Sequence, residues 1–514
     1  MVRMNWFSEL MLVFPLPLII LLIGAIILPF MGVLGERTGL KKIREGWALI
    51  VLTLSLLSIY PFYGQVREAV QQNETLVFWL SDWIPPLSSC LEVDMLGVFM
   101  SFSILFLGVL ACIYSIKYME HENRLTEYYT LLTFIITGMV GVTLSGDFFT
   151  LFIFWEMMTI SSYILVAFLK ERWGPIEAGM KYLIMSATGG AFLLFSMSFL
   201  YGLTGTLNFA ELASNLLGQT PNTWFYVILS LLVIGFGVKS AIVPLHTWLP
   251  DAHPEAPSPI SAMLSGVVIE TGLYGLCRVF FILFEPSFFK PVIAGLAVLT
   301  MTVGNLMALL QPDIKRLLAY SSIAQIGYML VGFASGTAYG LLGLFLHVFN
   351  HSLMKGLAFF SSGSLAHMTD TRDISTLKGI GRVMPITTLT LFIALLGLGG
   401  VPTTNGFVSK FILFGSALEP QVNLWWLAIA GVLNSTLSMA YYLRVMRTFI
   451  SEPDGEIKGV KEAPASMLAV TIFMAALIIF FGIFPTQLLG FAGEASKSLT
   501  ENLGSYIGTI IGGG

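Results

Sequence analysis

Residues 10–32, LMLVFPLPLIILLIGAIILPFMG, contain no ionisable side chain. A run of that length matches the roughly 20 residues an α-helix needs to cross the hydrocarbon core of a bilayer. Comparable runs recur near 46–66, 95–116, 126–145, 147–169, 178–203, 223–243, 256–284, 290–310, 314–335, 337–365, 383–418, 423–449 and 464–492. Lipid offers the backbone no hydrogen bonds, so only helices and closed barrels can span it. Barrel strands alternate apolar and polar residues, whereas these runs are continuous. The expected fold is therefore all-α, a polytopic membrane protein of about 14 transmembrane helices. Composition agrees: 56% of the chain is hydrophobic and 11% charged, against about 25% charged in soluble domains. The first run lacks a small-residue cleavage pattern and reads as a span, not a removable signal. The connections 67–92 and 207–216 (LNFAELASNL) are expected to carry short surface helices.

Charge orients the runs. Most of the 26 basic residues fall in alternate loops: Arg37, Lys41, Lys42, Arg44, Lys117, Arg124, Lys170, Arg172, Lys315, Arg316, Arg372, Lys378, Arg382, Arg444, Arg447, Lys458 and Lys461. The other loops hold Arg3, Arg67, Arg278, Lys290 and Lys497. Basic loops stay cytoplasmic, so both termini are expected outside the cell membrane. The net charge of −4 gives no reason for nucleic acid as a partner. Cys90, Cys112 and Cys277 are scattered, without the pairing that iron–sulfur or zinc sites use.

Two runs are interrupted. The seventh leads into VPLHTWLPDAHPEAPSPI, whose prolines forbid an unbroken helix. The twelfth contains GLGGVPTTNGF, residues 397–407. Broken helices in matching positions mark inverted repeats in transporters. The expected division is 1–125 (helices one to three), 126–284 (first five-helix repeat), 290–450 (second, inverted repeat) and 451–514 (the last helix and tail).

The ionisable residues inside the runs carry the functional reading. Lys239 precedes the first break in VIGFGVKSAIVP, and Lys410 follows the second in NGFVSKFILFG. A buried amine gives up its proton readily because desolvation disfavours the charged form. Glu156, alone in LFIFWEMMTI, is the expected partner of Lys239; a static ion pair bracing two helices is the plainer alternative. His347, His351 and Lys355 recur at i+4 steps in LFLHVFNHSLMKG and share one helix face. Two His at that spacing lack the Glu and third ligand of a metal site. They read as proton carriers, near neutrality by chemistry, or as satisfied core histidines. Glu270, in SGVVIETGLYG, is either a carrier or the structural partner of Arg278. Lys181, in GMKYLIMS, is a carrier or snorkels to the cytoplasm. His246, Asp251 and His253, in HTWLPDAHPEAP, form a candidate proton inlet or a loop held by polar contacts.

The segments PLHTWLPDAHPEAPSPISAMLSG, FWEMMTISSYIL, QPDIKRLLAYSSIAQIGYM and NHSLMKG together resemble the antiporter-like subunits shared by respiratory complex I, Mrp-type cation/proton antiporters and membrane-bound hydrogenases. The likeness covers roughly residues 95–450, and the D-type Mrp subunits and archaeal hydrogenase subunits are nearest in character. It implies fourteen helices, two inverted five-helix repeats and a polar axis at the bilayer midplane. It places proton-transfer roles on Glu156, Lys239, His347 or His351, and Lys410. Glu270 stands where the resemblance implies a lysine, which puts the sign of coupling to Lys239 in question. The chain is also expected to lack the long lateral helix of the largest members, since it runs only briefly past the fourteenth span.

These readings converge on a proton-translocating subunit of a multisubunit, redox-driven complex. Its partners are other membrane subunits, the lipid bilayer and protons, with sodium ions as the alternative cargo. No nucleotide fingerprint, haem motif or cluster ligand set is present in the sequence. The chain is therefore expected to carry no cofactor and no catalytic residue, and redox chemistry falls to partner chains. Two other readings compete: a sodium/proton antiporter without a redox partner, and a non-conducting scaffold. No Asp lies deep in the runs, which favours protons over the hard-oxygen cage that Na⁺ prefers.

Overall fold

The computed structural model describes residues 15–40, 42–80, 83, 88–216, 222–453, 455, 459–501, 504 and 507–509. Residues 10–14 of the first run, and Arg3, Lys41 and Lys458 of the charge pattern, lie outside the described residues. Helices dominate. In chain order they are α1 (Leu16–Thr38), α2 (Ile43–Gln71), α3 (Met95–Tyr118), α4 (Leu125–Thr143), α5 (Phe148–Val166), α6 (Trp173–Thr204), α7 (Phe209–Leu216), α8 (Thr223–Lys239) and α9 (Leu249–Glu255). Then come α10 (Ser258–Leu283), α11 (Pro286–Leu309), α12 (Ile314–Ser335), α13 (Ala338–Thr369), α14 (Pro385–Gly399), α15 (Asn405–Ser416), α16 (Trp425–Ile450), α17 (Ala465–Ile483) and α18 (Thr486–Thr500). Among the described residues ten of these are long and apolar enough to cross a membrane, and the chain is a multi-pass membrane protein.

Local chemistry sets several boundaries. Asp94, Asp147 and Asp313 accept hydrogen bonds from Gly97, Thr150 and Arg316 backbone N–H groups, capping α3, α5 and α12. Close helix approach depends on glycine. A Cβ at Gly327 of α12 would stand 2.4 Å from the Met301 nitrogen of α11, and one at Gly304 would stand 2.6 Å from the Ala324 nitrogen. Such small-residue contacts let backbones meet where lipid supplies no hydrophobic drive. α10 and α12 are buried on all sides, and α13 packs against both, with α14, α15, α17 and α18 around it.

Two expectations are corrected, and one helix is irregular. Among the described residues, the 67–92 connection carries no surface helix beyond the end of α2. Instead β1 (Leu76–Trp79) pairs antiparallel with β2 (Cys90–Val93), with Leu76 opposite Val93 and Trp79 opposite Cys90. The pairing is extended by Glu92 N–H donating to the Leu144 carbonyl at 2.8 Å, so the ladder closes on the end of α4. The fourteenth run is two helices, α17 and α18, parted at Phe484–Pro485; Pro485 cannot donate the bond that would continue α17. α10 is not a regular helix either: Leu264–Val268 form a π-helical turn. Such a turn inserts one residue and rotates the helix beyond it.

The loops sort to two ends. At one, Arg372 accepts Ile314 N–H on its carbonyl, Arg316 pairs with Asp251 at 3.0 Å, Arg124 donates to the Phe168 carbonyl, and Arg444 donates to the carbonyls of Leu309 and Gln311. At the other end, Phe148 bonds Leu207, Tyr63 bonds Glu494, and Thr337 bonds Glu419. Two residues counted with the loops are buried instead. Lys315 donates to the Ala256 carbonyl at 3.0 Å. Arg278 pairs with Glu92 at 2.7 Å and Asp94 at 2.8 Å, inside the end that carries the hairpin.

Candidate functional site

The first interruption is built around Lys239, the last residue of α8. A helix end leaves carbonyls without partners, and here Trp248 Nε1 donates to the Val238 carbonyl at 2.8 Å. Tyr182 of α6 stacks on the Trp248 ring, centroids 3.9 Å apart and planes 2° from parallel. That stack aims the Tyr182 hydroxyl at Lys239, whose Nζ donates to it at 2.8 Å and to Ser162 Oγ at 3.4 Å. The ammonium also lies 4.9 Å from the Tyr182 ring centroid, within cation–π range.

Glu156 does not ion-pair with Lys239. It is half-buried on α5, with Oε1 3.0 Å from where a Cβ on Gly190 would stand. It acts on Lys239 only across space. The Lys239 amine is met instead by the hydroxyls of Tyr182 and Ser162.

At the centre, Glu270 of α10 and His351 of α13 meet at 2.6 Å between Oε1 and Nδ1, both with 0% side-chain exposure. The alternative pairing of Glu270 with Arg278 is overturned. Eight residues of helix separate those two by about 12 Å along the axis, and Arg278 is held by Glu92 and Asp94. One turn before His351, His347 bonds Ser409 Oγ through Nδ1 at 2.8 Å and Gln325 Oε1 through Nε2 at 3.0 Å. The two imidazole centroids lie 6.1 Å apart.

The second interruption supplies the next link. α14 ends with Gly400 at φ 81°, a left-handed turn that glycine adopts without penalty. The Leu398 carbonyl beside it accepts from both Gln325 Nε2, at 3.0 Å, and Lys410 Nζ, at 2.6 Å. Lys410 also donates to Ser435 Oγ at 3.0 Å and lies 4.6 Å from the Tyr328 ring centroid. Gln325 therefore joins His347 to the break that holds Lys410. A branch runs to Lys355, which donates to the Leu318 carbonyl and to Ser321 Oγ at 2.7 Å. Ser321 bonds Tyr442, which meets Gln325.

The inlet residues divide. Asp251 pairs with Lys181 and Arg316, both at 3.0 Å, beside a cavity of about 390 Å³ at the basic end. His253 is buried, stacked on Phe359 at 4.6 Å, and its ring nitrogens have no partner among the described residues. Lys315 and Lys355 lie within electrostatic reach of it. His246 is half-buried and bonds the Pro244 carbonyl instead. Lys181 is not part of the buried row: its side chain is 49% exposed and it also pairs with Glu177 at 2.9 Å. Among the described residues no group of His, Cys, Asp and Glu is arranged to hold a metal ion.

Several groups in this network were not foreseen as site residues: Ser162, Tyr182, Gln325, Ser409, Tyr442 and the buried Lys315. A signal for Gln325 was present, since it falls at i+4 and i+3 steps from Ser321 and Tyr328 in the apolar helix α12.

Broken helices that set titratable side chains inside a bundle are the build of polytopic ion-transport proteins. The family described as NADH:quinone oxidoreductase/Mrp antiporter, TM, matches residues 145–438, and NADH-Ubiquinone oxidoreductase (complex I), chain 5 N-terminus, matches residues 83–129. The chain belongs to this NADH:quinone oxidoreductase/Mrp antiporter family. Similar relatives include F(420)H(2) dehydrogenase subunit N of Methanosarcina mazei, 34% identical over 80% of this chain and 85% of the relative. NADH-quinone oxidoreductase subunit N of Trichlorobacter lovleyi is 36% identical over 86% of this chain and 91% of the relative. Among solved structures, a chain of the membrane-bound sulfane sulfur reductase, an archaeal respiratory membrane complex, superposes with a TM-score of 0.86 at 27% identity, covering 96% of this chain and 99% of that one. A chain of the Mrp complex from Dietzia sp. shares the fold with the same TM-score at 22% identity, over 96% and 99% of the two chains.

Proposed function

We propose that the chain is the proton-translocating, antiporter-like subunit of a multisubunit membrane complex driven by redox chemistry in partner chains. One observation carries the reading: Lys239 at the first break packs against α10 two residues from Glu270, where a Cβ on Gly272 would stand 3.1 Å from the Lys239 Cβ; Glu270 meets His351, and His347, one turn away, reaches through Gln325 the Leu398 carbonyl that Lys410 binds at the second break. Each hop is driven electrostatically, because a charge arriving on one group changes the proton affinity of the next. The polar neighbours Tyr182, Ser162, Gln325 and Ser409 hold these groups in register. Protons enter near Glu156 and Lys239, reach the row from the basic end past Asp251 and His253, and leave by Lys410.

The architecture that fits this role has fourteen spans, with repeats at 126–284 and 290–450 between flanks 1–125 and 451–514. The basic end faces the cytoplasm and both termini lie outside. Redox cofactors belong to partner chains, and this chain performs no catalysis of its own. The named relatives support a redox-driven complex, and the occurrence of the fold in an Mrp complex keeps sodium/proton exchange as the competing reading.

The test is Lys239→Ala in the intact complex, reconstituted in proteoliposomes. Assembly and electron transfer are expected to persist while coupled proton uptake is lost. Unchanged uptake overturns the assignment. Uptake that follows sodium rather than pH shifts the reading to the antiporter without a redox partner.

A further inference from the structure

The other buried groups of the row are the amines Lys239, Lys355 and Lys410 and the imidazole His347, and each of these cycles between zero charge and +1. A lone carboxylic acid cycles between −1 and zero. Placed among Lys239, Lys355 and Lys410, it would bind an arriving positive charge instead of repelling it onward. The charge would also be costly to bury unpaired, by several kcal/mol. Glu270 is not alone, however. Its Oε1 meets His351 Nδ1 at 2.6 Å with both side chains fully enclosed. Glu270 Oε2 and His351 Nε2 have no partner among the described residues, which leaves one open atom on each side of the pair. The π-helical turn Leu264–Val268 ends just before Glu270, and His347, Lys355 and Lys410 lie within electrostatic reach of His351.

We propose that Glu270 and His351 act as a single proton carrier that cycles between zero and +1, in place of a lysine amine. With one proton the pair is carboxylic acid beside neutral imidazole, or carboxylate beside imidazolium; both sum to zero. A second proton bonds to the open carboxyl oxygen or the open ring nitrogen, giving acid beside imidazolium at +1. Its loss from the opposite open atom restores zero. Only O–H and N–H bonds form and break, and one proton leaves for each that arrives. The sign of coupling to Lys239 is then the same as between two lysines, which removes the difficulty a carboxylate poses at this position. The inference rests on the proton-transport reading above.

The test uses the intact complex in proteoliposomes with four variants. Lys239→Ala checks the underlying reading by itself: retained uptake there refutes proton transport through this chain, whatever the pair does. Given loss in that variant, His351→Gln leaves the carboxyl at −1/0 and is expected to lower coupled uptake by about tenfold or more, the effect of a modest barrier on one hop. Glu270→Lys combined with His351→Gln restores a 0/+1 carrier and is expected to recover most of the rate. Infrared difference spectra across turnover should show a protonated carboxyl band in the wild type that Glu270→Gln removes and His351→Gln shifts. Wild-type uptake in His351→Gln, or a double variant that assembles yet stays as slow as His351→Gln, overturns the proposal. Should the double variant fail to assemble, the spectra decide: no carboxyl band sensitive to both residues overturns it equally.

Discussion

Replacing Tyr182 by Phe deletes one oxygen and leaves the rest of the first break intact. The ring that stacks on Trp248 at 3.9 Å remains, as does the aromatic face 4.9 Å from Lys239 Nζ. What disappears is the acceptor of Lys239 at 2.8 Å, which is also the acceptor of the Ser162 hydroxyl at 2.9 Å. A hydrogen bond to a charged group contributes roughly 1.5–3 kcal/mol, which converts to about a ten- to hundredfold change in how readily the amine holds its proton. Ser162 Oγ, already 3.4 Å from Nζ, can turn a lone pair toward it and recover part of this. The expected loss is therefore near the lower figure. The assay is dye-reported proton uptake by proteoliposomes containing the complex, with electron transfer measured in parallel under uncoupler. Tyr182→Phe should slow coupled uptake by about tenfold while uncoupled electron transfer keeps its rate. Wild-type uptake would show that the hydroxyl does not tune Lys239. Loss of assembly would show that the break depends on that oxygen for its shape, and the reasoning about proton affinity would fail with it.

Other perturbations act through single contacts. Arg278→Met leaves Glu92 and Asp94 buried without their cation, at a cost of roughly 3–5 kcal/mol, and should lower the thermal midpoint of the detergent-solubilised complex markedly. Gln325→Leu strips His347 Nε2 of its partner at 3.0 Å and unlinks His347 from the Leu398 carbonyl; coupled uptake should fall in the same proteoliposome assay while assembly, followed by native gel, holds. Gly327→Ala pushes a methyl against the Met301 backbone, an overpacking that costs about 1–3 kcal/mol, read as a lower melting temperature and a poorer yield.

Much of this structure was legible in the sequence for one physical reason. Lipid permits a short menu of backbones, so continuous apolar runs fix helices and Pro- and Gly-rich interruptions fix breaks. Lys239 and Lys410 could be placed at the breaks because an amine in an apolar run is rare enough to stand out. The i+4 stripe of His347, His351 and Lys355 was readable from helix geometry alone. What failed was partner choice, which depends on contacts far apart in the chain. Glu270 meets His351 eighty-one residues on, just past a π-helical turn that leaves no compositional trace. Lys239 meets Tyr182 and Ser162, whose hydroxyls look ordinary in an apolar helix, and does not ion-pair with Glu156. Arg278 and Lys315 read as loop charges because charge is usually solvated; buried carboxylates receive one and a backbone carbonyl the other. The β1–β2 hairpin was missed because its four-residue strands are too short for an alternation pattern to emerge.

The central claim is that protons cross this chain along its buried row and leave by Lys410. The most direct measurement is the ratio of protons moved to electrons transferred by the reconstituted complex, with Lys410→Met against wild type. Electron transfer is expected to continue while the ratio falls by the share this chain carries. An unchanged ratio, at full assembly, would mean that the protons travel elsewhere.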